Sequence, residues 1–423
     1  MYHKPQNRSL LNLAVAIPFL LMLIAGALLP SDGNHGILNP KSVAFLLTGA
    51  SLNFYLITKR SYPVASLKLI AFACATAVFL IGWCLVSLGV GKTATETMVD
   101  QLKIFIITAS VVVFTICIIK ENILSYQTFV KTLIYANFTY SLAKITVLVL
   151  HMTQLVDIFT FMDKTGLRLM TMDLGTGAIR LQTSLDILSP FLLFFALQND
   201  LLDLQLSKRF RTLYYSVTAL SVLLSFSRVL IFISAFSLFL YWISASYSRF
   251  VKSTAIFMTG VLLFVGVVGV QDIAKMVEKR LFSKENTLSD DTRTYQIDAL
   301  LNEYEKHPLL GTGMGGYTLE DIRDGKNLHS YEVQWVAFLM QFGIIGLILL
   351  LSALCIIAKQ FLTYPPMRIK IAFLALFGSW VMAGFTNPYL ISLTSGMIYA
   401  LFLMTGIYLN NQKIDCIDNY HLL

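Results

Sequence analysis

Twelve runs of mostly apolar residues follow one another along the chain, at roughly 9–30, 42–58, 66–90, 103–119, 132–155, 181–197, 212–226, 229–247, 253–271, 333–358, 369–386 and 388–410. A helix that crosses a bilayer needs about 20 such residues. In lipid, only helices and closed barrels satisfy all of their own backbone groups. The sequence therefore predicts an all-α polytopic membrane protein with about 12 transmembrane helices. Two runs are irregular. Gln182, Asp186 and Pro190 interrupt the one at 181–197. The stretch 212–247 would make a single helix about 54 Å long at 1.5 Å per residue, too long for one crossing. It divides naturally at Ser225-Phe226-Ser227, just before Arg228.

Composition excludes the main alternatives. Hydrophobic residues make up 56% of the 423 positions and charged residues 13%, where a soluble chain carries roughly 25% charge. A soluble globule still needs a polar exterior, so a soluble enzyme is a poor reading, as are a disordered chain and a secreted disulfide scaffold. Cys74, Cys84, Cys117 and Cys355 sit in apolar runs and Cys416 in the C-terminal tail, with no CxxC pair and no Cys/His ligand spacing. No disulfide framework and no metal site is expected. The first run is too long for a cleavable signal peptide and reads as a signal anchor.

The net charge of +8 reads as membrane topology and not as nucleic-acid binding, because cytoplasmic loops carry the Lys and Arg that orient a membrane protein. With the N-terminus inside, fifteen basic residues fall on the inner side, among them Lys59, Arg60, Lys208, Arg209 and Arg211. Seven fall on the outer side, leaving out one long connection. That connection, 272–332, lies outside and divides the chain into spans one to nine (1–271), a loop subdomain (272–332), and spans ten to twelve with a cytoplasmic tail (333–423). Within it the pattern predicts a helix from Thr292 to Glu305, a turn at His307-Pro308, and a glycine-rich stretch from Gly311 to Gly316.

Charged residues near a membrane are costly and usually functional, and the informative ones gather on the outer side. Arg228 is either an interface anchor that snorkels to water or a donor aimed at an anion. Arg293, beside Asp290 and Asp291, is either a solvated residue near a capped helix start or a ligand. Arg180 either flanks a span or binds the same anion. Arg168, Arg323 and Lys326 read as solvated charges, and His307 as structural. His329, at the junction of loop and membrane, has an imidazole able to take a proton near neutral pH. Glu332, three residues on, either orients that imidazole or flanks the span. Arginine forks match phosphate oxygens and keep their charge, so several of them can hold a diphosphate and stabilise it as a leaving group. The glycine run offers close backbone approach to a ligand. It is not a P-loop, since no Gly-Lys-Ser/Thr follows.

The order of these features carries a resemblance. Ser227-Arg228 comes first, then Arg293-Thr-Tyr on a loop helix. His307-Pro-Leu-Leu-Gly-Thr-Gly313 and His329-Ser-Tyr-Glu332 follow, leading into a span with Phe342-Gly-Ile-Ile-Gly346. Over about 180–350 the chain resembles the O-antigen ligase and polymerase superfamily of bacterial inner-membrane glycosyltransferases. The resemblance implies a metal-independent enzyme with no cofactor and an active site on the periplasmic face. Its substrate would be an undecaprenyl-diphosphate-linked oligosaccharide presented in membrane lipid. Arg228, Arg293 and Arg180 would bind the diphosphate, and His329 with Glu332 would serve the acceptor hydroxyl. Around Arg180 the chain departs from the usual pattern, because Leu-Gln-Thr-Ser-Leu-Asp follows. A polymerase extends a carrier-linked repeat unit, and a ligase transfers the glycan to lipid A–core. The glycine-rich turn and moderate loop favour the polymerase. A chain-length regulator and a flippase are the implied partners, and nucleic acid is not one. The rival reading is a twelve-span transporter, which predicts internal repeats and polar groups at mid-membrane, where only Lys144 and Asp186 are candidates.

Overall fold

The computed structural model describes residues 10–29, 39–59, 64–91, 93–160, 170–173, 179–244, 284–320, 327–363 and 366–420, without 92, together with isolated positions between 251 and 266. For 64–70, 170–173, 179–180, 284–290 and 413–420 it describes the backbone only. The expected run at 253–271 thus falls largely outside the described residues, as do Arg168, Arg323 and Lys326.

The helices are α1 (Leu10–Leu28), α2 (Pro40–Lys59), α3 (Val64–Val90), α4 (Thr95–Lys120), α5 (Tyr126–Met152), α6 (Leu188–Leu197), α7 (Lys208–Leu224), α8 (Arg228–Ser244), α9 (Lys284–Tyr304), α10 (Gln334–Leu362), α11 (Met367–Ala383) and α12 (Leu393–Tyr420). Among the described residues six segments are long and apolar enough to cross a membrane: α1, Ala71–Val90 of α3, α4, α5, α10 and Leu393–Gln412 of α12. Shorter apolar helices accompany them. The chain is an all-α polytopic membrane protein, with one small antiparallel hairpin of strands β1 (Met170–Asp173) and β2 (Ile179–Gln182).

The chain forms two compact units. The first gathers Met1–Lys68, Val112–Leu238 and Ser248–Phe264; the second gathers Leu69–Val111, Phe239–Tyr247 and Val265–Leu423.

In the first unit α1 packs on α2 and α5, and α5 packs on α6 and α7. Local caps fix the helix starts. Ser125 accepts from the Thr128 amide at 3.1 Å, and Ser207 accepts from the Phe210 amide at 3.2 Å. The division expected inside 212–247 is present: α7 ends at Leu224 and α8 begins at Arg228. Between them Phe226 takes a φ of 45°, a left-handed value that a bulky residue adopts only when its surroundings impose it.

The run at 181–197 differs from a simple span. Thr183 and Asp186 form a capping box, in which Thr183 Oγ1 accepts from the Leu185 amide at 3.1 Å and Asp186 Oδ2 accepts from the Thr183 amide at 2.8 Å. β2 ends just before that box, and a 3-10 turn, Ser184–Ile187, leads into α6. The apolar helix Ser184–Leu197 is about 21 Å long at 1.5 Å per residue, short of a hydrocarbon core of about 30 Å. Every residue of α6 is buried. The polar residues that interrupt the run therefore start a short helix enclosed by protein.

In the second unit α10 is the centre, packing on α9, α11 and α12. It is broken at Gly343, whose φ of 61° and ψ of −174° are not helical. The break removes the bonds that Ile344 and Ile345 would make to Met340 and Gln341. The turn 308–313 replaces them. Ile344 and Ile345 donate to the Pro308 and Leu309 carbonyls at 3.0 and 3.2 Å, while Thr312 and Gly313 donate to the Met340 and Gln341 carbonyls at 2.9 and 2.8 Å. Trp83 Nε1 donates to the carbonyls of Leu310 and Phe342 at 2.9 and 3.1 Å. Irregular backbone inside a membrane domain is tolerated only where protein satisfies it, and here each group freed by the break has a partner.

The glycine run therefore meets protein backbone and not a ligand. Gly311–Gly316 are all buried. A Cβ on Gly313 would strike the Ser87 backbone, and one on Gly343 would strike Leu309 and Leu310.

Gly343→Ala is expected to lose more than the roughly 1–3 kcal/mol that this glycine-only backbone region alone costs, because the clash with Leu309 adds to it. Thermal unfolding of the detergent-solubilised protein checks this; an unchanged midpoint would contradict it.

Candidate functional site

The second unit carries three of the expected residues. Arg293 lies on the side of α9 that faces α10, where Ile297, Leu300 and Tyr304 pack with Tyr331, Val333, Ala337 and Met340. This apolar seam fixes the helix against the junction that precedes α10. Across it, Arg293 Nε donates to Glu332 Oε2 at 2.9 Å, with about a quarter of each side chain exposed (24% and 25%). Gln296, one turn further on and fully buried, accepts from the Glu332 amide at 3.1 Å. Glu332 is thus held at its backbone and at its carboxylate, and it fixes Arg293.

His329 sits in the turn just before α10 and is 6% exposed. Its backbone is positioned by Gln341, whose Nε2 donates to the His329 carbonyl at 3.1 Å and to the Gly316 carbonyl at 2.9 Å. Gln341 Oε1 in turn accepts from Gln101 Nε2 at 2.7 Å, and Gln101 Oε1 accepts from the Gly315 amide. Two buried amides thus tie the glycine turn, the broken helix and the His329 junction into one piece. Tyr331, also buried, accepts from the Thr318 amide at 2.9 Å and pins the far end of the turn. Sequence reasoning missed Gln101, Gln296 and Gln341. The signal for Gln341 was available, since it is a polar residue in the apolar stretch Phe338-Leu-Met-Gln-Phe342.

The first unit carries Arg228 and Arg180. Arg228 is exposed and opens α8, and the Ser227 carbonyl accepts from the Ile231 amide at 3.0 Å, starting the first turn. A cation at a helix N-terminus opposes the macrodipole. Its position there does nothing for the helix and suits an anion, which both the guanidinium and the free amide ends attract. Among the described residues no acid is paired with Arg228. Arg180 lies in β2, opposite Met172; its side chain is outside the described set.

A buried polar stripe on α5 supports the segment that follows Arg180. Lys144 Nζ donates to Asp186 Oδ1 at 2.7 Å and to the Ser221 carbonyl at 2.9 Å, with the two side chains 2% and 0% exposed. One turn earlier the Tyr140 hydroxyl meets Thr183 Oγ1 at 2.5 Å. Asn137 donates to Ser189 Oγ at 2.9 Å and accepts from the Tyr214 hydroxyl at 3.0 Å. Asn137, Tyr140, Ser141 and Lys144 recur at helical spacing, so the stripe was readable in an otherwise apolar run.

Outside the membrane helices, Lys306 donates to Glu303 at 2.6 Å. That bond and the nearby carboxylates of Glu303 and Glu320 hold its ammonium above the usual lysine value. No group of three or more His, Cys, Asp or Glu placed to hold a metal ion occurs among the described residues.

Fold and site together define a multi-pass helical membrane protein whose polar residues cluster where a loop helix meets a broken span. Residues 213–351 match the family model described as O-antigen ligase. This supports placing the chain with the O-antigen ligase and polymerase superfamily. The matched stretch contains Arg228, Arg293, His329 and Glu332, and it excludes Arg180. A search of curated proteins finds no match.

Lys144→Met should cost about 3–5 kcal/mol, because it strands a buried carboxylate. Lys144→Met combined with Asp186→Leu should recover part of that loss, though not the cap on Thr183. Unfolding midpoints of the two variants check this; equal midpoints would show that the charge pairing is immaterial.

Proposed function

We propose that the chain is a surface-polysaccharide polymerase working at the outer face of the bacterial inner membrane. It moves a glycan from undecaprenyl diphosphate onto a carrier-linked repeat unit. The observation that carries this reading is the coincidence of the matched stretch with three features: an arginine opening a helix, a carboxylate-fixed arginine, and a buried histidine at a loop–membrane junction.

In this mechanism Arg228 and Arg293 hold the diphosphate, and Arg180 serves the same group. A guanidinium presents its donors in a planar fork that matches phosphate oxygens. The acceptor hydroxyl oxygen attacks the anomeric carbon and gives its proton to His329. The bond from the anomeric carbon to the carrier oxygen breaks, and the diphosphate leaves with the electron pair, stabilised by the arginines. Glu332 acts through Arg293 as a positioning residue. A chain-length regulator and a flippase would work on the same carrier-linked material.

The description of the matched family favours a second reading, a ligase that passes the glycan to lipid A–core. The transporter reading is weakened by the two mid-membrane charges it needs, since Lys144 and Asp186 neutralise each other.

A deletion strain complemented with wild type or with Arg228→Ala, Arg293→Ala or His329→Ala tests the proposal. Each variant should lower polymer formation on the order of 10²-fold, the typical loss of one charge-stabilising donor. Arg228→Lys should fail as well, because lysine lacks the planar fork. Lipopolysaccharide and carrier-linked glycan are read separately on gels. A single repeat unit on lipid A–core in the deletion strain supports the polymerase. Long chains retained on the carrier with bare core would establish the ligase. Unchanged patterns in both fractions would reject both.

A further inference from the structure

α9 shows a second face, turned away from the seam that holds Arg293. Thr292, Tyr295, Asp298, Ala299 and Asn302 lie along it within one helical face, and Glu320 from the loop also lines it. Together they line a cleft of about 390 Å³, within the range of small-ligand sites, about 300–1,000 Å³. The polar members are all exposed, and Tyr295 is 70% exposed.

Among the described residues the lining carries no cation. It combines an aromatic ring with two carboxylates and an amide. The carboxylates only accept hydrogen bonds, while the amide both donates and accepts. A tyrosine presents an apolar ring face and a polar tip. That set matches a sugar, whose C–H face stacks on an aromatic ring and whose hydroxyls donate to carboxylates. Two carboxylates, with Lys306 near only one of them, leave the cleft no net attraction for a phosphate, so it suits the uncharged part of a substrate. Thr292 adjoins Arg293 in sequence, and from Thr292 to Asn302 the helix rises about 15 Å at 1.5 Å per residue. The cleft thus begins one residue from the arginine in sequence, on a different face of the helix, and leads away from it.

We propose that this cleft is a glycan subsite that holds sugar rings of the substrate, with Tyr295 as the stacking platform and Asp298, Asn302 and Glu320 as hydroxyl partners. The assignment rests on the reading of the chain as a glycan transferase, and it adds a place for the saccharide beyond the diphosphate.

The test uses the full-length protein in nanodiscs, with lipid-free polysaccharide released from the host strain by mild acid as the probe. Saturation-transfer NMR and a binding titration read the contact. Wild type should bind, and Tyr295→Ala and Asp298→Asn should each weaken binding about tenfold, the scale of one lost net contact. Glu305→Gln, an exposed change outside the cleft, should not. The cleft residues are at the surface, so unfolding midpoints confirm that the variants fold. Wild-type affinity in both cleft variants would overturn the subsite. The glycan ladder separates this result from failure of the underlying reading. If Arg228→Ala abolishes the ladder while wild type does not bind the released glycan, the transferase stands and the subsite falls. If the deletion and Arg228→Ala both leave the ladder unchanged, the transferase reading falls and the subsite with it.

Discussion

The break in α10 at Gly343 is the constraint on which the second unit depends. A broken helix inside a membrane domain exposes backbone groups, each of which costs several kcal/mol if left unsatisfied in an apolar medium. The turn 308–313 supplies partners for two amides and two carbonyls, and Trp83 reaches the Leu310 and Phe342 carbonyls beside them. This fixes the route of the chain from Tyr304 to Gly316. Once Pro308 to Gly313 are docked, α9 must end just before them, and its apolar face must meet α10. That placement brings Arg293 to Glu332.

The same constraint explains the two glycine motifs. Gly343 permits the left-handed kink, and the turn glycines permit backbone to touch backbone at Ser87 and Gln341. Short glycine-rich segments in transferases invite a reading as ligand loops. Here the role of the segment is structural, and through Gln341 and Gln101 it sets where the His329 backbone lies.

Much of the architecture was legible because apolar run length and helical period are local properties. The break before Arg228 could be read from Ser225-Phe226-Ser227, and the loop helix from its stop at His307-Pro308. Two things were not legible, for physical reasons. The run at 181–197 is apolar enough for a span, but Asp186 is taken by a cap and an ion pair, and both partners are distant or conformational. The pairing of Glu332 with Arg293 spans 39 positions, so sequence proximity pointed instead to His329. The arginines themselves stood out as positive charge on the side where such charge is disfavoured.

The two ion pairs differ in what they leave available to a substrate, and their burial decides it. Parting Lys144 from Asp186 strands a charge that is almost wholly buried, a cost of about 3–5 kcal/mol. No anion arriving from water recovers that, so the pair is part of the scaffold beneath the segment that follows Arg180. The Arg293–Glu332 pair is about a quarter exposed, so water reaches it as it does not reach the deeper pair. Arg228 stands exposed at a helix start that already attracts anions. The charges within reach of water are therefore those at the helix start and the loop junction, while the deeper pair holds the frame of its own unit in place.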